Sequence, residues 1–155
     1  MSRAFVKEPD GLESFDELPE KLISEHRNLV TPQGLVMIET EVDRLSEEHA
    51  AAQAINDRAA IARAARDLRY WAQRRLTAEV MSPPAGVASV QFGSTVALVR
   101  GDGRKQTFRI VGEDEADPAK GTLSYVSPLA QALMDKAAGD TVQVGAGEAE
   151  IVSIT

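Results

Sequence analysis

Apolar residues fall on two different rhythms along the chain, and each predicts a different kind of structure. Leu35, Ile38, Val42, Leu45, His49 and Ala52 follow one another at alternating spacings of three and four. That is the seam of a coiled coil, with the apolar side chains gathered on one face of a helix. Thr31 and Pro32 stand just before it. The threonine can accept from the first free N–H groups, and proline brings a φ that is already helical. The seam loosens over Ala54, Ile55, Asn56 and Asp57, which are predicted as the tip of a hairpin. A second helix is predicted over 58–80, with Ile61, Ala65, Leu68, Trp71 or Ala72, and Leu76 as its apolar line. Ser82, Pro83 and Pro84 end it, because proline cannot continue the ladder. Two antiparallel arms of about 23 residues would each span roughly 35 Å at a rise of about 1.5 Å per residue.

Beyond residue 85 the period drops toward two. Residues 87–92, 95–100 and 106–111 read as strands, broken by Gly93 and by the hairpin turn Gly101, Asp102, Gly103. A short strand is predicted over 122–126. Ser127 as N-cap and Pro128 at the first helical position then open a helix through about Lys136. Strands at 141–144 and 148–154 complete a small antiparallel sheet with one helix against it. The fold class is therefore α+β: an N-terminal antiparallel helical hairpin over 31–80, followed by a sheet domain over 85–155. Residues 1–30 hold seven acids, four bases and no sustained period, and are predicted as an acidic flexible arm. Phe5, Phe15, Leu18, Leu22 and Ile23 are its candidate anchors, with a short helix near 15–22.

Composition narrows the chemistry. There is no cysteine, which excludes disulfides and thiolate-bound metals. No apolar run is long enough to cross a bilayer, and the first residues have no apolar h-region, so a cytoplasmic monomer away from membranes is expected. The net charge of −7 favours a protein partner over naked nucleic acid. Residues 31–55 carry five acids and one base, whereas 56–80 carry three acids and six bases. Two arms of opposite sign attract one another, so the arginines read either as a solvated face with ion pairs between the arms or as contacts to a partner or a phosphate. His26 and His49 lie far apart, and no nucleophile elbow, phosphate loop or Cys/His cluster is present. Tyr70 and Trp71 read as hairpin packing. No catalytic residue, metal or cofactor is predicted.

Several separated phrases carry a resemblance. They are VQFGSTVALV, then FRIVGEDEADPAKGTLSYVSPLAQALMDKAAGDTVQV, then EAEIVSI, with LVTPQGLVMIETEVDRL at the start of the first helix. In order and spacing this text resembles the GreA/GreB transcription factors and their shorter relatives. It spans residues 87–155 well and leaves the first 28 unmatched. The resemblance implies an FKBP-like C-terminal domain that docks on the rim of the secondary channel of bacterial RNA polymerase. The docking surface would lie around Ser127, Pro128, Leu129 and Ala130, with nucleic acid met only through the polymerase. Leu129, Leu133 and Met134 also read as core, and Gly112 with the acidic residues 113–117 as a structural turn.

The resemblance fails where the chemistry sits. Cleavage by Gre factors needs two acids at the hairpin tip to help hold a second Mg²⁺, a hard ion that prefers clustered carboxylates. Aligned on Tyr70, those acids fall on Arg63 and Arg66; by arm length, the tip holds Asp57 alone, itself a natural N-cap. The expectation is a polymerase-binding regulator that does not stimulate cleavage. The alternatives are a genuine elongation factor using Asp57 with Glu47 or Glu48, and an interaction module with a non-polymerase partner.

Overall fold

A computed structural model describes residues 18–155. The strand β1 (Leu29–Val30) leads into α1 (Pro32–Ala54), which returns as α2 (Arg58–Thr77) and ends in β2 (Glu79–Val80). The sheet domain contains β3 (Thr95–Arg100), β4 (Lys105–Val111), β5 (Thr122–Ser124), α3 (Pro128–Leu133), β6 (Thr141–Val144) and β7 (Gly147–Ile154). Two 3-10 turns, Glu113–Glu115 and Pro118–Lys120, join β4 to β5.

Each arm begins on a cap. Thr31 Oγ1 accepts from Gly34 N at 3.0 Å, and Asp57 Oδ1 accepts from Ala60 N at 3.1 Å. Ile38, Leu45 and Ala52 are buried on the seam, with Leu35, Val42 and His49 half-buried beside them. The seam of α2 departs from the expected line. Ala64 and Arg74 are its buried residues, while Leu76 is 79% exposed. The last turn of α2 faces the acidic turn after β4 rather than α1, so an arginine takes the inner position there.

The C-terminal sheet has the order β5-β4-β3-β7-β6. It is mixed rather than wholly antiparallel, because β5 runs parallel to β4 after the connection through the two 3-10 turns. Its inner face and α3 enclose Val90, Val96, Leu98, Ile110, Leu123, Ala130, Leu133, Val142, Ala149 and Ile151. Four expected boundaries move, each for a local reason. Residues 87–92 are not a strand: Val90 and Phe92 plug the core, while Val90 exchanges backbone hydrogen bonds with Lys136 and Asp135 after α3. Those same bonds draw the chain out of α3 at Met134, two residues short of Lys136, and Asp135 adopts φ +64°. The helix predicted to 80 stops at Thr77 because Glu79 N and Met81 N donate to Asn28 O and Val30 O in a parallel ladder. The short strand expected over 122–126 ends at Ser124, where Ser127 N donates to Ser124 O and turns the chain toward α3.

That ladder also changes the picture of the first 30 residues. Asn28, Leu29 and Val30 are buried, so the arm ends inside the folded body. Leu22 is 94% exposed and anchors nothing, residues 18–22 are not helical, and the anchors Phe5 and Phe15 lie outside the described residues.

Candidate functional site

The polar stripe Asp67, Tyr70, Arg74 and Thr77 runs along α2 at spacings of three and four. Every member is engaged outside the hairpin seam. Arg74 is 2% exposed; its Nε donates to Asp114 Oδ2 at 2.5 Å and its Nη2 lies 3.6 Å from Glu113 Oε2. Tyr70 Oη donates to the other Asp114 oxygen at 2.5 Å. Burial, and then the Asp114 carboxylate, push the Tyr70 hydroxyl up to about 12. Asn28 Nδ2 donates to Arg74 O at 2.7 Å and to Thr77 Oγ1 at 3.2 Å, satisfying a carbonyl that the end of α2 leaves free. Ser24 Oγ donates to Glu113 Oε1 at 2.9 Å.

Glu115 makes the matching attachment at the other arm. Its Oε2 accepts from Thr31 N and Gly112 N, both at 3.0 Å, and its Oε1 accepts from the Thr31 hydroxyl. A carboxylate at the start of α1 also meets the positive end of the helix dipole. The fit requires two glycines. A Cβ at Gly34 would stand 2.0 Å from Glu115 Cδ, and one at Gly112 would stand 2.3 Å from Leu29 O. The acidic turn is therefore a clasp that holds the roots of both arms on the sheet domain.

No ion pair joins the two arms among the described residues. Arg44 bonds Glu41 and Glu48 on its own helix, whereas Arg69 bonds Glu20 and Asp67 bonds Lys21. The ion pairs expected between the arms are thus absent among the described residues, because α2 pairs instead with the segment before β1 and with the clasp.

The structure places Ile55, Asn56 and Asp57 between the arms, directly after Ala54, with Asn56 in the left-handed region at φ +52°. Asp57 is the only acid of the turn, and one of its oxygens is occupied by the cap. Glu47 and Glu48 lie seven and six residues before Ala54, roughly 10 Å down the arm at about 1.5 Å per residue, and Glu48 is bonded to Arg44. Arg63 is exposed, and Arg66 is half-buried with its Nε 3.2 Å from Asp67 Oδ1. Among the described residues no group of three or more His, Asp or Glu is arranged to hold a metal ion.

At α3, Ser127 Oγ accepts from Ala130 N at 3.3 Å. Pro128 is exposed, Ser127 and Leu129 are half-buried, and Ala130 is wholly buried in the core. Ala130 thus shapes the site from within and has no surface for a partner. Asn28, Gly34 and Arg74 were not singled out from sequence; Tyr70 was read as hairpin packing, whereas its hydroxyl bonds Asp114, and the acidic residues 113–117 were read as a structural turn without their partners. The polar stripe on α2, in register with the apolar one, was the signal that could have found three of the clasp's contacts.

The fold and clasp define a two-part protein, a helical hairpin rooted by polar bonds on a curled β domain. Residues 85–155 match the family described as transcription elongation factor, GreA/GreB, C-term. The match takes in that domain alone, a little under half of the chain. The transcription elongation factor GreB of Neisseria meningitidis serogroup A is 43% identical over 95 residues, covering 57% of this chain and 58% of the relative. GreA of Paracoccus denitrificans is 46% identical over 82 residues, covering 50% and 53%. The chain thus spans a little over half the length of these relatives. Among solved structures, the GreA factor homolog 1 (Gfh1) protein of Thermus thermophilus is similar at 18% identity and a TM-score of 0.41, covering 84% of this chain and 99% of that one. A GreA/GreB factor from Nitrosomonas europaea gives 20% identity and a TM-score of 0.42, covering 82% and 98%.

Proposed function

We propose that this chain binds bacterial RNA polymerase through its C-terminal domain, at the rim of the secondary channel, and presents its hairpin to the channel without stimulating transcript cleavage. The match of residues 85–155 to the GreA/GreB C-terminal domain supports the partner. The exposed Pro128 beside half-buried Ser127 and Leu129 is the surface that the family's docking segment would use here. The observation that carries the loss of cleavage is the tip. A single carboxylate, already accepting from Ala60 N, stands where two free ones are required. The factor would act by occupying the channel, and would compete with cleavage-competent relatives for the same rim.

Stalled elongation complexes test this directly. The protein should bind polymerase, yet leave the rate of RNA shortening in Mg²⁺ at the level of polymerase alone. Shortening faster than that level would refute the reading. Pro128→Asn should weaken binding in a correctly folded variant, and unchanged affinity would count against the rim contact.

A further inference from the structure

The apolar line of α2 is not used up within the described fold. Ile61, Ala65, Leu68, Ala72 and Leu76 recur at spacings of four, three, four and four. At about 100° per residue they share a sector roughly 80° wide, centred about 80° round the helix from the buried Ala64 and nearly opposite Arg74. The first three are half-buried, whereas Ala72 is exposed and Leu76 is 79% exposed. The clasp fastens the sheet domain at Arg74, on the far side of α2, and so leaves this face of the hairpin open. A groove between the arms runs along it, lined by Val42, Ala72, Arg75 and Leu76. An apolar stripe of helical period marks a face that packs against another element.

Charge indicates what covers it. Glu39 stands seventeen residues before Asn56 and Arg75 nineteen after it. Val42 and Ala72 face each other across the groove with the same offset, fourteen before and sixteen after. Glu39 and Arg75 therefore flank the groove at one height. Both are exposed, and neither forms an ion pair among the described residues. The arms continue this contrast, with five acids and one base over 31–55 against three acids and six bases over 56–80. Such a face is complementary to itself. Two copies laid face to face and pointing the same way, about a twofold axis along the hairpin, set each α1 over the partner's α2 and acid over base. Pointing opposite ways, they would set acidic arm on acidic arm. A polyanion would meet Glu39 and Asp43 on the rim, so a second copy fits this surface better than nucleic acid.

We propose that two copies of this chain pair through this face as a four-helix bundle. Ala72 and Leu76 of each copy cover the groove of the other, and each Arg75 lies over the partner's Glu39. The monomer expected from sequence is then the dilute form. This pairing is independent of the polymerase reading.

Sedimentation equilibrium of the whole chain tests it. The mass should rise from that of one chain toward that of two between about 1 μM and about 1 mM. Leu76→Glu puts a charge on an exposed position, so the fold survives while association weakens by about tenfold or more. Arg75→Glu and Glu39→Arg should each weaken association as well, because each creates two like-charged pairs across the twofold axis. An equimolar mixture of those two variants should associate as tightly as the wild type, since the mixed dimer again holds two pairs of opposite sign. A single-chain mass at about 1 mM would overturn the proposal, including the case in which residues 1–17 occupy the groove. Association that Leu76→Glu leaves unchanged would overturn it too, as would a mixture no tighter than its two components.

Discussion

Arg74 Nε donates to Asp114 Oδ2 at 2.5 Å across the junction of the hairpin and the sheet domain, with the arginine 2% and the aspartate side chain 8% exposed. A charged pair this dry is not a strong source of net stability, because desolvation offsets most of its attraction. Breaking it from one side is another matter. Arg74→Met leaves Asp114 buried with a bond from Tyr70 but no cation, and Glu113 loses its neighbour as well. The expected loss is about 3–5 kcal/mol in urea unfolding. Arg74→Met combined with Asp114→Leu should recover much of that loss, and the coupling in the double-mutant cycle measures the pair.

The second attachment predicts a steric rescue. Gly34→Ala drives a Cβ into the Glu115 carboxyl, whose oxygens are fixed by Thr31 and Gly112 and cannot easily retreat. Overpacking of this kind costs about 1–3 kcal/mol. Glu115→Ala alone forfeits the bonds to the start of α1. In the double variant the collision is gone, so its loss of stability should be smaller than the sum of the two single losses, as thermal unfolding would show.

These two attachments mark the limit of what could be read from sequence. The hairpin was legible because Leu35, Ile38, Val42 and Leu45 repeat with a helical period and Thr31, Pro32 and Asp57 carry local cap chemistry. The sheet was legible wherever alternation coincided with a ladder, as in β3, β4 and β7. Residues 87–92 alternate in the same way, but their backbone partners lie in the loop after α3, over 40 residues away, and alternation does not encode a partner. The clasp was missed for the same reason. Nothing in the local context of Arg74 distinguishes an arginine facing solvent from one facing Asp114, because the distinction depends on where the turn after β4 is brought by the fold. The opposite charges of the arms suggested ion pairs between them, and that reading failed because a third element, the segment before β1 with the clasp, collects the pairs of α2.

Tyr70 provides a titration of the clasp. Tyr70 and Tyr125 are the chain's two tyrosines, so in Tyr125→Phe the tyrosinate absorbance reports Tyr70 alone. It should rise with a midpoint of about 12, against about 10 for an unfolded tyrosine. The folded value is the higher one, so the folded state favours the neutral hydroxyl. Its contribution to stability is complete below the unfolded pKa of about 10 and is lost as pH rises through the folded value. Unfolding measurements between those limits should show stability falling with pH, and Tyr70→Phe should flatten that fall. A midpoint near that of an unfolded tyrosine would mean that Tyr70 is neither buried nor bonded to Asp114 in solution.

At the tip, capping and metal binding make opposite demands on Asp57. Its side chain accepts from Ala60 N, so Asp57→Ala should destabilise the hairpin by about 0.5–2 kcal/mol, the usual range for a lost N-cap. Asparagine caps a helix about as well as aspartate but brings no negative charge. Asp57→Asn should therefore retain nearly all of the wild-type stability. If Asp57 served as a metal ligand in a polymerase complex, the same substitution would remove a charge that Mg²⁺ requires, and any stimulation of transcript cleavage would disappear with it. Melting temperatures and cleavage rates of the two variants, compared side by side, separate these roles. Capping predicts that alanine lowers the melting temperature, that asparagine does not, and that the cleavage rate stays at the level of polymerase alone in both.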